Sequence, residues 1–356
     1  MQEDAPISLA DLIPKVVSGE PLTIEEAEAA FNAVMEGRAT PVQITALLVG
    51  LRAHGETPAH VAGGVRALRN AMIPVESPAG WQVVDTCGTG GGAFLTFNIS
   101  TAAALLAAGA GVRIAKHGNR SFTSRCGSAD VLSALGIQIE LTAEQMAQVF
   151  ERAGVVFMFA PLLHPAMRHV GPVRRELGLP TIMNLLGPLT NPARARRQVV
   201  GVSHPRLLDL VAGGLRELEH EHALVVHGEP GMDELSPIGV TQAVEVRDGQ
   251  VKRFAIVPSE LFDTARLDPA ELRGGDPDYN AKVVEDVLGG RMTGAARAAV
   301  VLNAGAAIYV AGMASSLREG VAAATTALEE GKGMQALENL RSATKAAVSA
   351  PEISAD

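Results

Sequence analysis

The chain has 356 residues, of which 47% are hydrophobic and 19% charged, and its formal net charge is -9. This length and composition are typical of a globular protein with a sizeable core, and they exclude a disordered chain. The acidic balance argues against a nucleic-acid-binding surface, and no apolar run free of charge is long enough to span a bilayer. We therefore expect a cytoplasmic protein whose two cysteines, Cys87 and Cys126, are reduced thiols.

The first part of the chain predicts helices only. Apolar residues recur at three- and four-residue steps over residues 7–17, 23–35, 41–53 and 58–70. Thr23, followed three residues later by Glu26, forms the pattern of a capping box. Short helices cannot bury all their apolar faces alone, so residues 1–73 predict a small helical domain that covers part of a site and joins an oligomer contact.

Residues 74–356 predict a large α/β domain with a mainly parallel sheet flanked by helices. The predicted strands are residues 81–84, 112–115, 155–160, 181–185, 198–202 and 223–226, and the helices between them include 142–153 and 206–219. The Asp248-Gly249 pair predicts the turn of a hairpin over residues 243–257. The most apolar stretch, 297–310, predicts a buried helix.

Two successive strand-to-helix junctions carry groups suited to anions. The first reads DTCGTGGGAFLTFNIST over residues 85–101, with four glycines before a helix start that offers Asn98, Ser100 and Thr101 as caps or donors. The second begins with KHGNR at residues 116–120 and leads through Gly127-Ser128 into a helix. Both junctions fall on the carboxyl edge of a parallel sheet, so one ligand with several phosphates is expected to touch both. A glycine turn without a phosphate role is the alternative for the first junction taken alone, which is not a Walker A loop.

A segment at residues 163–180 interrupts the alternation of strands and helices. It places Arg168, Arg174 and Arg175 on a short helix, where one guanidinium is suited to a substrate carboxylate. A solvated face, or one paired with Glu176, is the alternative.

An acidic pair, Asp233-Glu234, follows the last predicted parallel strand. Adjacent carboxylates in a loop are usually solvated surface groups. Beside a polyphosphate site they become candidate ligands for Mg²⁺, which prefers carboxylate and hydroxyl oxygens.

Several long motifs occur in one order along nearly the whole chain: GTGG with NIST, KHGNR, HPAMRH with RREL, NLLGPLTNP, MDELSP and NAGAA. In these motifs the chain resembles the anthranilate phosphoribosyltransferases. The resemblance implies a small helical domain, residues 1–73 joined by about 163–180, and a large domain that binds phosphoribosyl pyrophosphate. It also implies transfer of the phosphoribosyl group to the amine of anthranilate in tryptophan biosynthesis, two Mg²⁺ ions, and a homodimer formed through the helical domain.

The resemblance assigns roles residue by residue. It implies a substrate-binding set made of Gly88, Thr89, Gly90, Gly91, Thr96, Asn98, Ser100, Thr101, Lys116, His117, Gly118, Asn119, Ser128 and Arg174. Within that set Lys116 is the catalytic residue, and Arg174 pairs with the anthranilate carboxylate, beside His117 and Asn119. The metal ligands are Ser100, Asp233 and Glu234, and the residues that line the anthranilate entry are Pro161, His164 and Met167.

One residue departs from the family pattern. Gly92 stands where relatives often carry an aspartate near the ribose hydroxyls or the pyrophosphate. The resemblance therefore implies that this single contact is missing.

Two other functions compete with this interpretation. A nucleoside phosphorylase shares a related fold and uses inorganic phosphate, but the HGNR motif and the arginine-rich segment suit a small aromatic acid. A non-catalytic relative that binds nucleic acid is disfavoured by the net charge of -9 and by the Asp233-Glu234 pair.

Overall fold

The computed structural model describes residues 7–121, 125–264 and 267–349. Its first four helices are α1 (Leu9–Val17), α2 (Ile24–Met35), α3 (Pro41–His54) and α4 (Pro58–Ala71). The predicted capping box is confirmed, because Thr23 Oγ1 accepts from Glu26 N at 3.2 Å and the Glu26 carboxylate accepts from Thr23 N at 2.8 Å. Thr40 and Thr57 begin α3 and α4 in the same way, each followed by a proline in the first turn.

A seven-stranded sheet forms the centre of the molecule. Its strands are β1 (Val83–Gly88), β2 (Arg113–Gly118), β3 (Val155–Phe159), β4 (Arg197–Gly201), β5 (His222–Gly228), β6 (Thr241–Arg247) and β7 (Gln250–Ile256). The strand order is β3-β2-β1-β4-β5-β6-β7, with the first five strands parallel and the last two forming an antiparallel hairpin. The chain order reverses between β1 and β4, and parallel sheets bind ligands beyond the strand ends at such a point.

The hairpin predicted around Asp248-Gly249 is confirmed. Both residues have positive φ, 49° and 76°. This is the backbone twist that two-residue hairpin turns require.

Helices cover both faces of the sheet. They are α5 (Ile99–Gly109), α6 (Ser128–Ala134), α7 (Ala143–Ala153), α8 (Ala160–Leu163), α9 (Met167–Leu177), α10 (Met183–Leu189), α11 (Leu208–Glu217), α12 (Pro277–Leu288), α13 (Gly294–Val310), α14 (Leu317–Glu329) and α15 (Lys332–Ser349). Along β4, Val199 packs with the cluster that contains α5 and α12–α15, and Val200 packs with the cluster that contains α1–α4 and α9–α11. Successive side chains of a strand point to opposite faces, so the two clusters are the two faces of one sheet. Among the described residues, no helix is long and apolar enough to cross a membrane.

The strand predicted at residues 181–185 is wrong, because this segment begins the helix α10. A short apolar run does not distinguish a strand from a buried helix, and here the Asn184 side chain accepts from Thr181 N at 3.1 Å at the helix start. The predicted ends of β1 and β2 are also wrong. Both strands continue through polar residues that are buried in the sheet, Asp85 and Thr86 in β1 and Lys116 in β2.

Candidate active site

Four neighbouring parallel strands each end in a glycine: Gly118, Gly88, Gly201 and Gly228. These ends allow the loop between β5 and β6 to close over the sheet. A Cβ on Gly201 would lie 1.6 Å from the carbonyl oxygen of Asp233, and one on Gly228 would lie 2.5 Å from that of Glu234. Side chains are excluded at both positions, and the acidic pair therefore lies directly over the carboxyl ends of β1, β4 and β5.

The glycine turn after β1 lies against this acidic loop. Gly90 and Gly91 have φ of 69° and 76°, and the Gly90 N–H donates to Asp233 Oδ2 at 2.9 Å. A Cβ on Gly92 would lie 2.9 Å from the Gly231 carbonyl oxygen and 3.3 Å from Asp233 Oδ1. The turn therefore has no room for the aspartate that relatives often carry at position 92, and a second carboxylate there would face Asp233.

The acidic pair is half-buried and has the character of a cation site. Glu234 Oε1 accepts from the Ser100 N–H at 3.1 Å, at the positive end of α5. Burial raises the pKa of both carboxyls, and the neighbouring Asp233 charge adds to the rise at Glu234, whose pKa is raised to about 8. Two carboxylates and the Ser100 hydroxyl are hard oxygen donors whose mutual repulsion a divalent cation would relieve, so these residues fit Mg²⁺.

Lys116 connects the two strand-to-helix junctions. Its side chain is buried, and Nζ donates to the Thr86 carbonyl oxygen and to Ser100 Oγ, the latter at 3.2 Å. The structure thus brings together four predicted residues, Ser100, Lys116, Asp233 and Glu234, at one edge of the sheet. Lys116 and the glycine turn at this edge face the position expected for a phosphate-bearing ligand.

His117 and His164 form a second part of the site. Their Nε2 atoms lie 3.1 Å apart and their ring centroids 5.0 Å apart. Burial lowers the pKa of His117 to about 3 and that of His164 to about 4. Both rings are therefore neutral near pH 7. The Nε2–H of one ring donates to Nε2 of the other, and together the rings form an uncharged aromatic surface.

Buried histidines make the protein sensitive to acid. Burial lowers the pKa of His60 to about 4 and that of His220 to about 3, in addition to His117 and His164. A histidine with a depressed folded pKa destabilises the fold as pH falls below its unfolded value, by ~1.4 kcal/mol per pH unit until the folded pKa is reached. Asp85, whose pKa burial raises to about 6, and Glu234, whose pKa is raised to about 8, act in the opposite direction, but they are fewer than the four buried histidines. We expect the urea-derived free energy of unfolding to be lower at pH 5 than at pH 7, and equal values would contradict these neutral histidines.

The arginine segment forms α9, and Arg174 differs from its neighbours there. Arg168 and Arg175 are exposed, whereas Arg174 is half-buried and burial lowers its pKa. Within the described part of the chain no ion pair is formed by Arg174, and Glu176 does not pair with it. Among the described residues, Arg174 is therefore not part of a salt-bridged face, which was the alternative.

The remaining predicted residues line or support the junctions. The sequence suggested Asn98 as a cap of α5, but its side chain does not cap that helix. Its Nδ2 donates to the Cys126 carbonyl oxygen at 3.3 Å, and its Oδ1 accepts from Asn280 Nδ2 at 2.9 Å. Ser128 Oγ donates to the Asn119 carbonyl oxygen at 3.3 Å.

Three threonines have different surroundings. The Thr101 hydroxyl is buried without a hydrogen-bond partner among the described residues, and Thr96 forms an isolated bridge with Arg273. Thr89 supports the glycine turn, since its N–H donates to the Gly201 carbonyl oxygen at 2.9 Å and its hydroxyl accepts from Ser203 N at 3.0 Å.

Three buried polar residues beneath the site were not predicted. Asp85 Oδ1 accepts from the His117 N–H at 3.2 Å, and its Oδ2 accepts from Gln198 Nε2 at 3.2 Å. Asn191 Nδ2 donates to the Ala115 carbonyl oxygen at 2.8 Å. The one available signal was Gln198 itself, a polar side chain inside an otherwise apolar strand. This network fixes the backbone that carries Lys116 and His117.

Two family models match the chain: the helical bundle domain of a glycosyl transferase family at residues 10–72 and the a/b domain of that family at residues 80–334. The anthranilate phosphoribosyltransferase of Rubrobacter xylanophilus is 53% identical over 330 residues, 93% of this chain and 96% of that protein. The one from Thermomicrobium roseum is 48% identical over 336 residues, 94% of this chain and 96% of that protein.

Solved structures give the same result. The crystal structure of anthranilate phosphoribosyltransferase from Thermus thermophilus superposes with a TM-score of 0.88 at 43% identity, covering 94% of this chain and 99% of that one. The enzyme from Saccharomyces cerevisiae in complex with phosphoribosyl pyrophosphate and Mg has the same fold, with a TM-score of 0.84 at 24% identity, covering 95% and 98%.

Proposed function

The chain belongs to the anthranilate phosphoribosyltransferases, and from this premise we propose how its residues transfer the phosphoribosyl group of phosphoribosyl pyrophosphate to anthranilate. The products are phosphoribosyl anthranilate and pyrophosphate, in tryptophan biosynthesis. The observation that carries the proposal is the meeting of Lys116, the glycine turn and the acidic pair at one edge of the sheet.

In the proposed mechanism the chain stabilises charge and positions the reactants. The anthranilate nitrogen forms a bond to C1 of the ribose, the bond from C1 to the pyrophosphate oxygen breaks, and one proton of the amine is released to water or to the leaving pyrophosphate. The aryl amine is unprotonated near neutral pH, so it needs no strong base to attack. Lys116 and the positive end of the α5 dipole lie on the side of the leaving oxygens, where negative charge develops as C1 gains oxocarbenium character.

We assign the Mg²⁺ site to Ser100, Asp233 and Glu234, and we propose two ions in accordance with the family resemblance. The support is the half-buried, mutually repelling carboxylate pair beside the phosphate cradle. When bound, the metal supplies positive charge to the pyrophosphate oxygens. The chain's own part is to hold the carboxylates against Gly90 and Ser100.

The donor site that we propose comprises both junctions: Gly88, Thr89, Gly90, Gly91, Thr96, Asn98, Ser100, Thr101, Lys116 and Ser128. The buried Thr101 hydroxyl has no hydrogen-bond partner among the described residues, which supports this assignment, because such a group favours a ligand acceptor. For the acceptor, we propose that anthranilate lies beside His117, Gly118 and Asn119, with Pro161, His164 and Met167 at its entry.

The Arg174→Ala substitution is expected to raise the KM for anthranilate with little change in kcat. Arg174 is half-buried without an acidic partner, so a bound carboxylate would gain a bidentate ion pair. Steady-state kinetics with anthranilate varied at saturating donor measures both constants. Arg175→Ala, which removes an exposed guanidinium from the same helix, is the control, and an unchanged KM in the Arg174 variant would refute the assignment.

We also propose that the helical domain, residues 1–73 joined by about 163–180, forms a homodimer and that the protein is cytoplasmic. Helix α9 packs against α2 and α3, which supports this domain boundary. An open apolar groove of about 430 Å³ lies between α1 and α3, where Val42 is 78% exposed and Val49 39%. Exposed apolar patches of this kind mark interfaces.

The paired Val42→Asp and Val49→Asp substitutions are therefore expected to give a monomer in light scattering after size exclusion. The control is Val251→Asp, which alters an exposed apolar residue on β7 and is expected to remain a dimer. A monomeric unsubstituted protein would contradict the proposed dimer.

Anthranilate fluorescence provides the test of the reaction. We expect the signal to decay only when protein, phosphoribosyl pyrophosphate and Mg²⁺ are all present. Inorganic phosphate with a nucleoside as the alternative substrate pair is expected to give no product. A stable anthranilate signal with the complete mixture, or phosphorolysis of the nucleoside, would refute the assignment.

A further inference from the structure

Asn303 is a polar residue in the middle of an apolar helix. It is 3% exposed, and the other buried residues of α13 are alanine, glycine, valine, leucine and isoleucine. Burying an amide costs free energy unless its donors and acceptor are all bonded. This position therefore needs partners from outside the apolar core.

The Asn303 amide has three hydrogen bonds, two of which hold a single residue of the acidic loop. Its Oδ1 accepts from Leu235 N at 3.0 Å, and its Nδ2 donates to the Leu235 carbonyl oxygen at 2.9 Å. The third bond runs from Nδ2 to the Ala299 carbonyl oxygen at 2.9 Å. The side chain thus bonds both backbone groups of Leu235, as a neighbouring strand would, at a point where β5 has already ended.

This bond pair acts directly beside the carboxylates. Met232 and Leu235, both 0% exposed, enclose Asp233-Glu234 between two buried side chains. Apolar contacts hold these side chains in the core but are not directional. The paired bonds from Asn303 add direction, because they fix the orientation of the peptide groups at Leu235, and that orientation sets where Glu234 points.

We propose that Asn303 is a positioning residue for the acidic pair, acting through Leu235 to hold Glu234 against Ser100. The inference rests on the proposed function, in which this pair binds the metal. Partners that orient a metal ligand typically contribute tenfold or more to metal affinity. Asn303 touches neither substrate nor metal in this account.

Two substitutions test the role. Asn303→Leu removes all three bonds while keeping the branching of the side chain, and Asn303→Asp keeps the acceptor for Leu235 N but turns a carboxylate oxygen toward two carbonyl oxygens. The matched control is Val300→Ala on the same helix, a residue that is 0% exposed and forms no side-chain hydrogen bond. It reproduces a loss of core stability without removing a hydrogen bond to the loop.

The measurement is Mn²⁺ binding, followed by the electron paramagnetic resonance of free Mn²⁺ with phosphoribosyl pyrophosphate at saturation. We expect the Kd for Mn²⁺ to rise ~10-fold or more in both Asn303 variants and to stay unchanged in Val300→Ala. The KM for anthranilate is expected to stay unchanged in all three.

A lower Tm with an unchanged Mn²⁺ Kd in either folded Asn303 variant would overturn the positioning role and leave a purely structural one. Equal weakening in Val300→Ala would overturn it as well, since general softening of the core would then explain the result. Absence of Mn²⁺ binding in the unsubstituted protein would instead refute the proposed metal site, and the positioning role with it.

Discussion

The Lys116→Met substitution is expected to lower kcat by ~10²–10³-fold, the loss typical when one preorganised donor to a developing anion is removed. Lys116 Nζ lies between the Thr86 carbonyl oxygen and Ser100 Oγ, where it is buried and oriented before any ligand arrives. Methionine keeps most of the side-chain volume and removes only the charge and its donors. Steady-state rates at saturating anthranilate and donor measure the effect.

Arg113 supplies the control for this prediction. It lies on the same strand with its guanidinium 4.2 Å from the Trp81 ring centroid, at the opposite end of β2 from the site. Arg113→Ala is expected to leave kcat unchanged. A Lys116→Met enzyme that is folded and retains the rate of the unsubstituted protein would remove Lys116 from the catalytic role.

Neutral substitutions in the acidic pair are expected to lower the rate of catalysis without lowering the stability of the metal-free protein. Asp233→Asn and Glu234→Gln each keep the shape of the side chain but remove a charge that burial and the adjacent carboxylate oppose. We expect each to lower kcat by about 10²-fold at fixed Mg²⁺ and to require more Mg²⁺ for half-maximal rate, because a metal ligand is weakened. The metal-free Tm is expected to stay equal or rise, since the repulsion is relieved.

Rates across a Mg²⁺ series, together with thermal melts in chelator, test both parts. Glu221→Gln is the control, because it neutralises a carboxylate that pairs with Arg196 and Arg197 far from the site edge. A Mg²⁺ dependence identical to that of the unsubstituted protein would exclude Asp233 and Glu234 as ligands. A clear fall in metal-free Tm would show that the pair stabilises the fold rather than straining it.

The sequence predicted most of the architecture because its local signals are strong. The Thr23 capping box and the Asp248-Gly249 turn each act within a few residues, and the structure confirms both. Residues 181–185 were assigned wrongly because a five-residue apolar run fits a strand and a buried helix equally well.

The site was predicted where its residues carry recognisable chemistry. Ser100, Lys116 and the acidic pair meet as expected, although they are distant in the chain. The supporting residues were missed because their partners are remote: Gln198 bonds Asp85 across 113 positions, and Asn303 bonds Leu235 across 68. Asn303 begins the NAGAA motif, but the sequence indicates the partner of neither amide, so only the folded chain reveals what each one holds.

We propose that this edge of the sheet breaks the bond between ribose C1 and pyrophosphate and transfers C1 to an aryl amine. Phosphorus NMR of phosphoribosyl pyrophosphate with the protein, Mg²⁺ and anthranilate follows that bond directly. We predict that the diphosphate ester signals are replaced by free pyrophosphate and a new 5-phosphate resonance, in amounts equal to the anthranilate consumed. Unchanged phosphorus signals, or pyrophosphate release that does not depend on anthranilate, would contradict the account.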